Sequence, residues 1–89
     1  MFELTVAIHK ILPPKRVSND HYVLPVIISH DLDGKLQYRY MQVVRSGVKE
    51  KMAGITIGDS VKIKFALKGK EKGEQYYNLD EITGIEKVN

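Results

Sequence analysis

Tyr38 and Tyr40 stand two residues apart in the run LQYRYMQVVRSG of residues 36–47, with Arg39 between them, and further tyrosines occur at Tyr22, Tyr76 and Tyr77. Lys15 and Arg16 follow Pro13-Pro14, and Lys68, Lys70 and Lys72 surround or enter the segment GKEKGE of residues 69–74. Flat aromatic rings and nearby cations are the two ingredients needed to stack single-stranded bases, at roughly 1 to 3 kcal/mol per base, and to follow a phosphate backbone. The same tyrosines are equally suited to anchoring a protein partner or a second copy of the chain. Basic charge is local. Five lysines (62, 64, 68, 70 and 72) lie between Val61 and Lys72 against Glu71, while Asp80, Glu81 and Glu86 meet only Lys87 in the last ten residues.

Catalytic chemistry finds no comparable arrangement. His9, His21 and His30 are spread over separate segments without zinc-site spacing, so no metal is expected. The serines at 18, 29, 46 and 60 lack a nucleophile-elbow context, and GKEKGE has neither Walker spacing nor a helix after it. No enzyme and no cofactor are expected. Asp31-Leu32-Asp33-Gly34 opens like a calcium loop, but Leu36, Tyr38 and Tyr40 occupy the later ligand positions, so it reads as a hairpin turn.

The elements that must position these residues are strands. Residues 36–47 are β-branched and aromatic, and period-two alternation separates Leu36, Tyr38, Tyr40, Gln42, Val44 and Ser46 from Gln37, Arg39, Met41, Val43 and Arg45. Both tyrosines therefore share a face, which either touches a ligand or closes one side of the core. Residues 2–12 alternate Phe2, Leu4, Val6 and Ile8 against Glu3, Thr5, Ala7 and His9. Pro13 and Pro14 end that strand, and a loop runs through Lys15, Arg16, Ser18, Asn19 and Asp20. Residues 21–32 form a second strand with a bulge expected near Pro25.

Residues 48–57 favour one or two helical turns closed by Gly54, with Val48, Met52 and Ile55 inward as a plug. Residues 60–69 place Val61, Ile63, Phe65 and Leu67 inward, and Lys62 and Lys64 outward as solubilising charge. Residues 75–87 make a last strand with a bulge or kink before Thr83-Gly84. Tyr76 and Tyr77 point to opposite faces, so one of them is expected in the core.

Eighty-nine residues, 43% hydrophobic and 28% charged and without cysteine, describe one domain over residues 1–89 that folds on its core alone. The net charge of +3 permits a polyanionic partner. The start MFELTVAIHK lacks the basic head of a signal peptide and no run approaches a membrane span, so a cytoplasmic protein with no membrane partner is expected. The order predicts an all-β fold with one short helix, a five-stranded antiparallel OB-fold barrel in the order β-β-β-α-β-β.

The run Tyr40-Met41-Gln42-Val43-Val44-Arg45-Ser46-Gly47, the helical stretch after it, Ile57-Gly58-Asp59 and Val61-Lys62-Ile63 together resemble bacterial single-stranded-DNA-binding proteins. The hairpin at residues 71–80, with Tyr76-Tyr77-Asn78-Leu79, is similar to that of a small uncharacterised bacterial family of OB-like domains. The resemblance implies an OB fold that binds single-stranded nucleic acid, DNA before RNA, with Tyr40 at the family's base-stacking position. Ser46 stands where the family has a second aromatic, and Arg45 replaces an apolar residue. In an OB fold the first loop and the loop between strands four and five flank the face of strands two and three, which makes Lys15, Arg16, Lys68, Lys70, Lys72, Arg39, Tyr22, Tyr38, Tyr40 and Tyr76 the candidate contacts. The competing reading is an assembly module, a homodimer or a protein-binding domain.

Overall fold

The computed structural model describes all residues except 1, 19–20, 45–47 and 89, and only the backbone of 17, 18, 21, 44, 48 and 49. Asn19, Asp20, Arg45, Ser46 and Gly47 of the loop and strand readings therefore lie outside the described residues. The elements are β1 (Phe2–Ile11), β2 (Lys15–Ser18), β3 (His21–Leu32), β4 (Lys35–Val44), α1 (Val48–Lys51), β5 (Ser60–Ala66), β6 (Gly69–Lys72), β7 (Gln75–Asn78) and β8 (Glu81–Lys87).

Five strands pair in a closed circuit, β1 to β5 to β8 to β4 to β3 and back to β1. All these pairings are antiparallel except β4 with β8, which is parallel. The expected all-antiparallel arrangement is corrected here by parity: strand directions cannot alternate around a circuit with an odd number of members, so one neighbouring pair must run the same way. Further strands lie outside the circuit. β2 pairs with the start of β3, and β6 and β7 pair only with each other. The single strand expected over residues 75–87 is thus two, β7 and β8, which serve different sheets.

Alternation places the core. Val6, Ile8, Leu24, Val26, Ile28, Met41, Val43, Val61, Ile63 and Ile82 project into the circuit, and Ile55 joins them from the segment after α1, with Met52 packed alongside. α1 is one helical turn, shorter than the stretch read as helical, and the backbone turns at Gly54 with φ +75°. Asp33 and Gly34, at φ +53° and +82°, make the β3–β4 turn, and Asp31 Oδ1 accepts a 2.7 Å bond from the Gly34 amide. The hairpin reading of that segment holds.

The bulge expected at Pro25 falls elsewhere. Pro25 pairs in register with Gln42 in the unbroken β3–β4 ladder, while the slip lies in β1 between Ile8 and Lys10. Proline is tolerated because its position faces the point where the edge of β3 passes from β1 to β2. There its carbonyl accepts from Leu12 N at 3.0 Å and no donor is required. A second slip shifts the register at Thr83 of β8, between the Lys64–Gly84 and Phe65–Ile82 pairs and next to the expected site, and its hydroxyl donates to the Lys64 carbonyl at 3.2 Å.

Surface ion pairs trim the circuit. Lys62 Nζ lies 2.7 Å from Glu3 Oε1, and that hydrogen bond holds the Glu3 carboxyl below the usual carboxylate range and raises the Lys62 ammonium. Asp59 accepts from Thr56 N at 2.9 Å, which chiefly lowers its carboxyl too. Among the described residues no helix is long and apolar enough to cross a membrane.

Because Ile63 is fully buried at the centre of the circuit, Ile63→Ala should lower stability by about 2 to 5 kcal/mol, measured as a shift of the urea midpoint at constant slope.

Candidate nucleic-acid interface

β4 contributes Met41 and Val43 to the core, and the two-residue period then turns Tyr38 and Tyr40 to the outside, where they are 55% and 45% exposed. Their Cα atoms are about 7 Å apart along the strand, enough for each ring to take its own flat partner. Across β3, Tyr40 pairs with Ile27 and Tyr38 with Ser29. One strand further, Ile27 pairs with Lys10 and Ser29 with Ala7. Lys10, Ile27 and Tyr40 thus form one row on the outer face, and Ala7, Ser29 and Tyr38 the next. The His9 ring lies 4.7 Å from that of Tyr38 at 55°. Neither Tyr38 nor Tyr40 is a core residue.

His9 and Lys10 are not among the candidate contacts expected from sequence. Simple alternation assigns them to opposite faces, but the slip after Ile8 lets both reach the outer side. A bulge involving two exposed polar residues leaves no mark in composition, so only the register reveals it.

The remaining candidates separate. Lys15 pairs with Val23 and shares the outer phase, but Tyr22 follows the phase of Leu24 and Val26, and Arg16 pairs with it. Tyr22 and Arg16 are exposed beyond the end of the circuit, turned from the Tyr38–Tyr40 face. Arg39 also takes the inward phase. Its Nε and Nη2 both bind Oδ2 of Asp80, whose side chain is only 6% exposed. Lys68 Nζ lies 2.5 Å from Glu81 Oε2. Arg39 and Lys68 therefore brace the base of the next hairpin.

That hairpin, β6–β7, leaves the circuit at the β8 side of β4. Leu79 N donates to the Lys68 carbonyl at 2.7 Å, and the Asp80 carbonyl accepts from Gln42 N at 3.0 Å. Lys70 pairs with Tyr77 and Lys72 with Gln75, while Glu71 pairs with Tyr76. Paired residues of an antiparallel ribbon share a face, so Lys70, Lys72 and Tyr77 lie on one side and Tyr76 sits with Glu71 on the other. Both tyrosines are exposed, which corrects the expectation that one belongs to the core. Tyr77 is the one that combines a ring with cations, and its hydroxyl donates to Gln75 Oε1 at 2.5 Å. Seen across the strands, β2 borders β3 on one side of the Tyr38–Tyr40 face, and β8 borders β4 on the other, joined just after the hairpin by the Gln42–Asp80 bond. Among the described residues no group of three or more His, Asp or Glu is placed to hold a metal ion.

The fold is shared with proteins of known structure. The dimeric N-terminal domain of PriB protein from Thermoanaerobacter tencongensis matches 99% of this chain and 94% of its own at a TM-score of 0.73, with 14% identity. A small single-stranded DNA-binding protein from Streptomyces coelicolor matches 98% of this chain and 94% of its own at 0.50, with 10% identity. The chain has an OB-like fold of the kind these two domains adopt. In sequence it is 33% identical over 64 residues to lysine-tRNA ligase from Aliivibrio salmonicida and 32% to that from Aliivibrio fischeri, covering 72% of this chain and 13% of each ligase. The chain thus spans about an eighth of the length of the curated relatives it matches. No family model matches it.

Arg39→Ala leaves the Asp80 carboxylate sheltered and unpaired, and should cost about 1 to 3 kcal/mol in chemical denaturation. Arg39→Ala with Asp80→Ala, which removes both charges, should recover most of that loss.

Proposed function

We propose that the protein binds single-stranded nucleic acid without catalysis and with little sequence preference, DNA being the first ligand to test. The observation that carries this reading is the side-by-side projection of Tyr38 and Tyr40 from the outer face, with His9 and Lys10 on the same surface. Bases stack on the two rings, and Lys10 and Lys15 on one side and Lys70 and Lys72 on the other follow the backbone, with Tyr77 as a further platform. Tyr76, Tyr22, Arg16, Arg39 and Lys68 stay peripheral to this path. The Streptomyces coelicolor neighbour, a single-stranded DNA-binding protein by name, supports the choice of ligand.

The lysine-tRNA ligases act on an RNA, which makes RNA the second ligand of the same face. The dimeric state of the PriB domain supports a homodimer as the second reading for assembly. An OB-like module that serves only protein contacts would use the same tyrosines as anchors.

Fluorescence anisotropy of a labelled oligothymidine at two salt concentrations separates these readings, with oligouridine of equal length as the RNA arm. With about four phosphate contacts the log-log salt slope should be near −3. Tyr38→Ala and Tyr40→Ala should each weaken binding by about 1 to 3 kcal/mol without unfolding the protein, whereas Tyr76→Ala should leave it unchanged. Absence of binding to either oligonucleotide at low salt contradicts the reading and leaves the assembly module.

A further inference from the structure

The end of the circuit away from α1 holds a second site, unconnected with the tyrosine face. Phe2 and Leu4 of β1 and Leu67 after β5 follow the inward phase of Val6, Ile8, Val61 and Ile63, yet all three are substantially exposed, Phe2 at 52% and Leu67 at 57%. They surround an opening of about 290 Å³ whose other walls are Ile28, Met41, Ile63 and Phe65. Ile28, Met41 and Ile63 are fully buried and form the apolar floor. Phe2 and Phe65 stack with centroids 5.6 Å apart at 26° and form one wall. Apolar side chains in the inward phase ordinarily meet one another across the core, and here they line a space.

The two polar members of this lining are His30 and Arg39. Asp80 takes up the Nε and Nη2 of Arg39 through one oxygen, and the Arg39 side chain remains 48% exposed, with its Nη1 donors outside that pair. A cup with an aliphatic floor, a stacked phenylalanine wall and a guanidinium and an imidazole at one side complements a molecule with an apolar body and a single anionic head. A cavity of about 150 Å³ accepts one benzene ring, so this volume fits a two-ring or medium-chain body. The Nη1 donors left by Asp80 still give a charged N–H edge, which together with the imidazole favours a carboxylate as the head.

We propose that this opening binds small apolar monocarboxylates, with the hydrocarbon body between Phe2, Phe65 and Met41 and the carboxylate on Arg39 and His30. The site is independent of nucleic-acid binding, because Arg39 and the tyrosines project from opposite faces of β4.

The test titrates the full chain with 2-naphthoate and with the uncharged 2-naphthalenemethanol, followed by amide NMR shifts and by sedimentation. The proposal expects saturable shifts confined to residues around Leu4, Ile28, His30, Arg39, Ile63 and Phe65, with the alcohol about tenfold weaker. Replacing Arg39→Gln and Asp80→Asn together, which keeps the pair's hydrogen-bonding shape without charge, should remove that preference while leaving the alcohol's affinity unchanged. If this variant fails to fold, the acid and alcohol comparison on the unaltered chain decides alone. Equal affinity for the two compounds, shifts centred on Tyr38 and Tyr40, absence of saturable binding, or a concentration-dependent dimer that buries Phe2, Leu4 and Leu67 would each overturn it.

Discussion

Closure of the strand circuit is the constraint on which the molecule depends, and it is made through a short seam. β4 and β8 meet at Gln42–Glu81 and Val43–Ile82, extended by the bond from Gln42 N to the Asp80 carbonyl. A five-membered circuit requires one parallel pair, and this is it. Parallel pairs need a long connection, and the chain between β4 and β8 supplies it through α1, β5 and the β6–β7 ribbon. The Arg39–Asp80 ion pair and the Lys68–Glu81 pair sit at the same seam, so charged groups reinforce the place where backbone pairing is thinnest.

The surface chemistry follows from this closure. Once Met41 and Val43 are drawn inward beside Ile82, the pleat leaves Tyr38 and Tyr40 no other side than the outer one. β1, which closes the circuit through its pairing with β3, brings His9 and Lys10 alongside them. The hairpin within the connection from β4 to β8 carries Lys70, Lys72 and Tyr77 on one of its own sides. A single topological requirement therefore brings the rings of β4 and the His9 and Lys10 side chains of β1 together on one surface.

Local signals in the sequence translate directly into structure. Alternation marks β1 and β5, Asp33-Gly34 marks the hairpin, and the broken phase near Thr83 marks the bulge in β8. The shared face of Tyr38 and Tyr40 is equally legible, since it needs only the pleat. What alternation cannot supply is register between distant strands. The slip at Ile8 moves Lys10 to the aromatic face, and the pairing of Arg39 with Asp80, forty-one residues away, converts an apparent phosphate ligand into a structural brace. Tyr22 and Arg16 illustrate the same limit, because their phase is set by β3 and not by their proximity to the loop. Phe2, Leu4 and Leu67 read as core by period, and their exposure arises because the strands run past the last layer of side chains available to fill that end.

The central claim is that the outer face of β3 and β4, and not another surface, meets the ligand. Photo-cross-linking of the full chain to oligothymidine carrying 5-iododeoxyuridine, with peptide mapping by mass spectrometry, tests this most directly. The account expects adducts at Tyr38 or Tyr40, with Tyr77 next in yield, all suppressed by unlabelled oligothymidine. Adducts confined to Tyr22, Tyr76 or residues remote from β4, with none at Tyr38 or Tyr40, would contradict it.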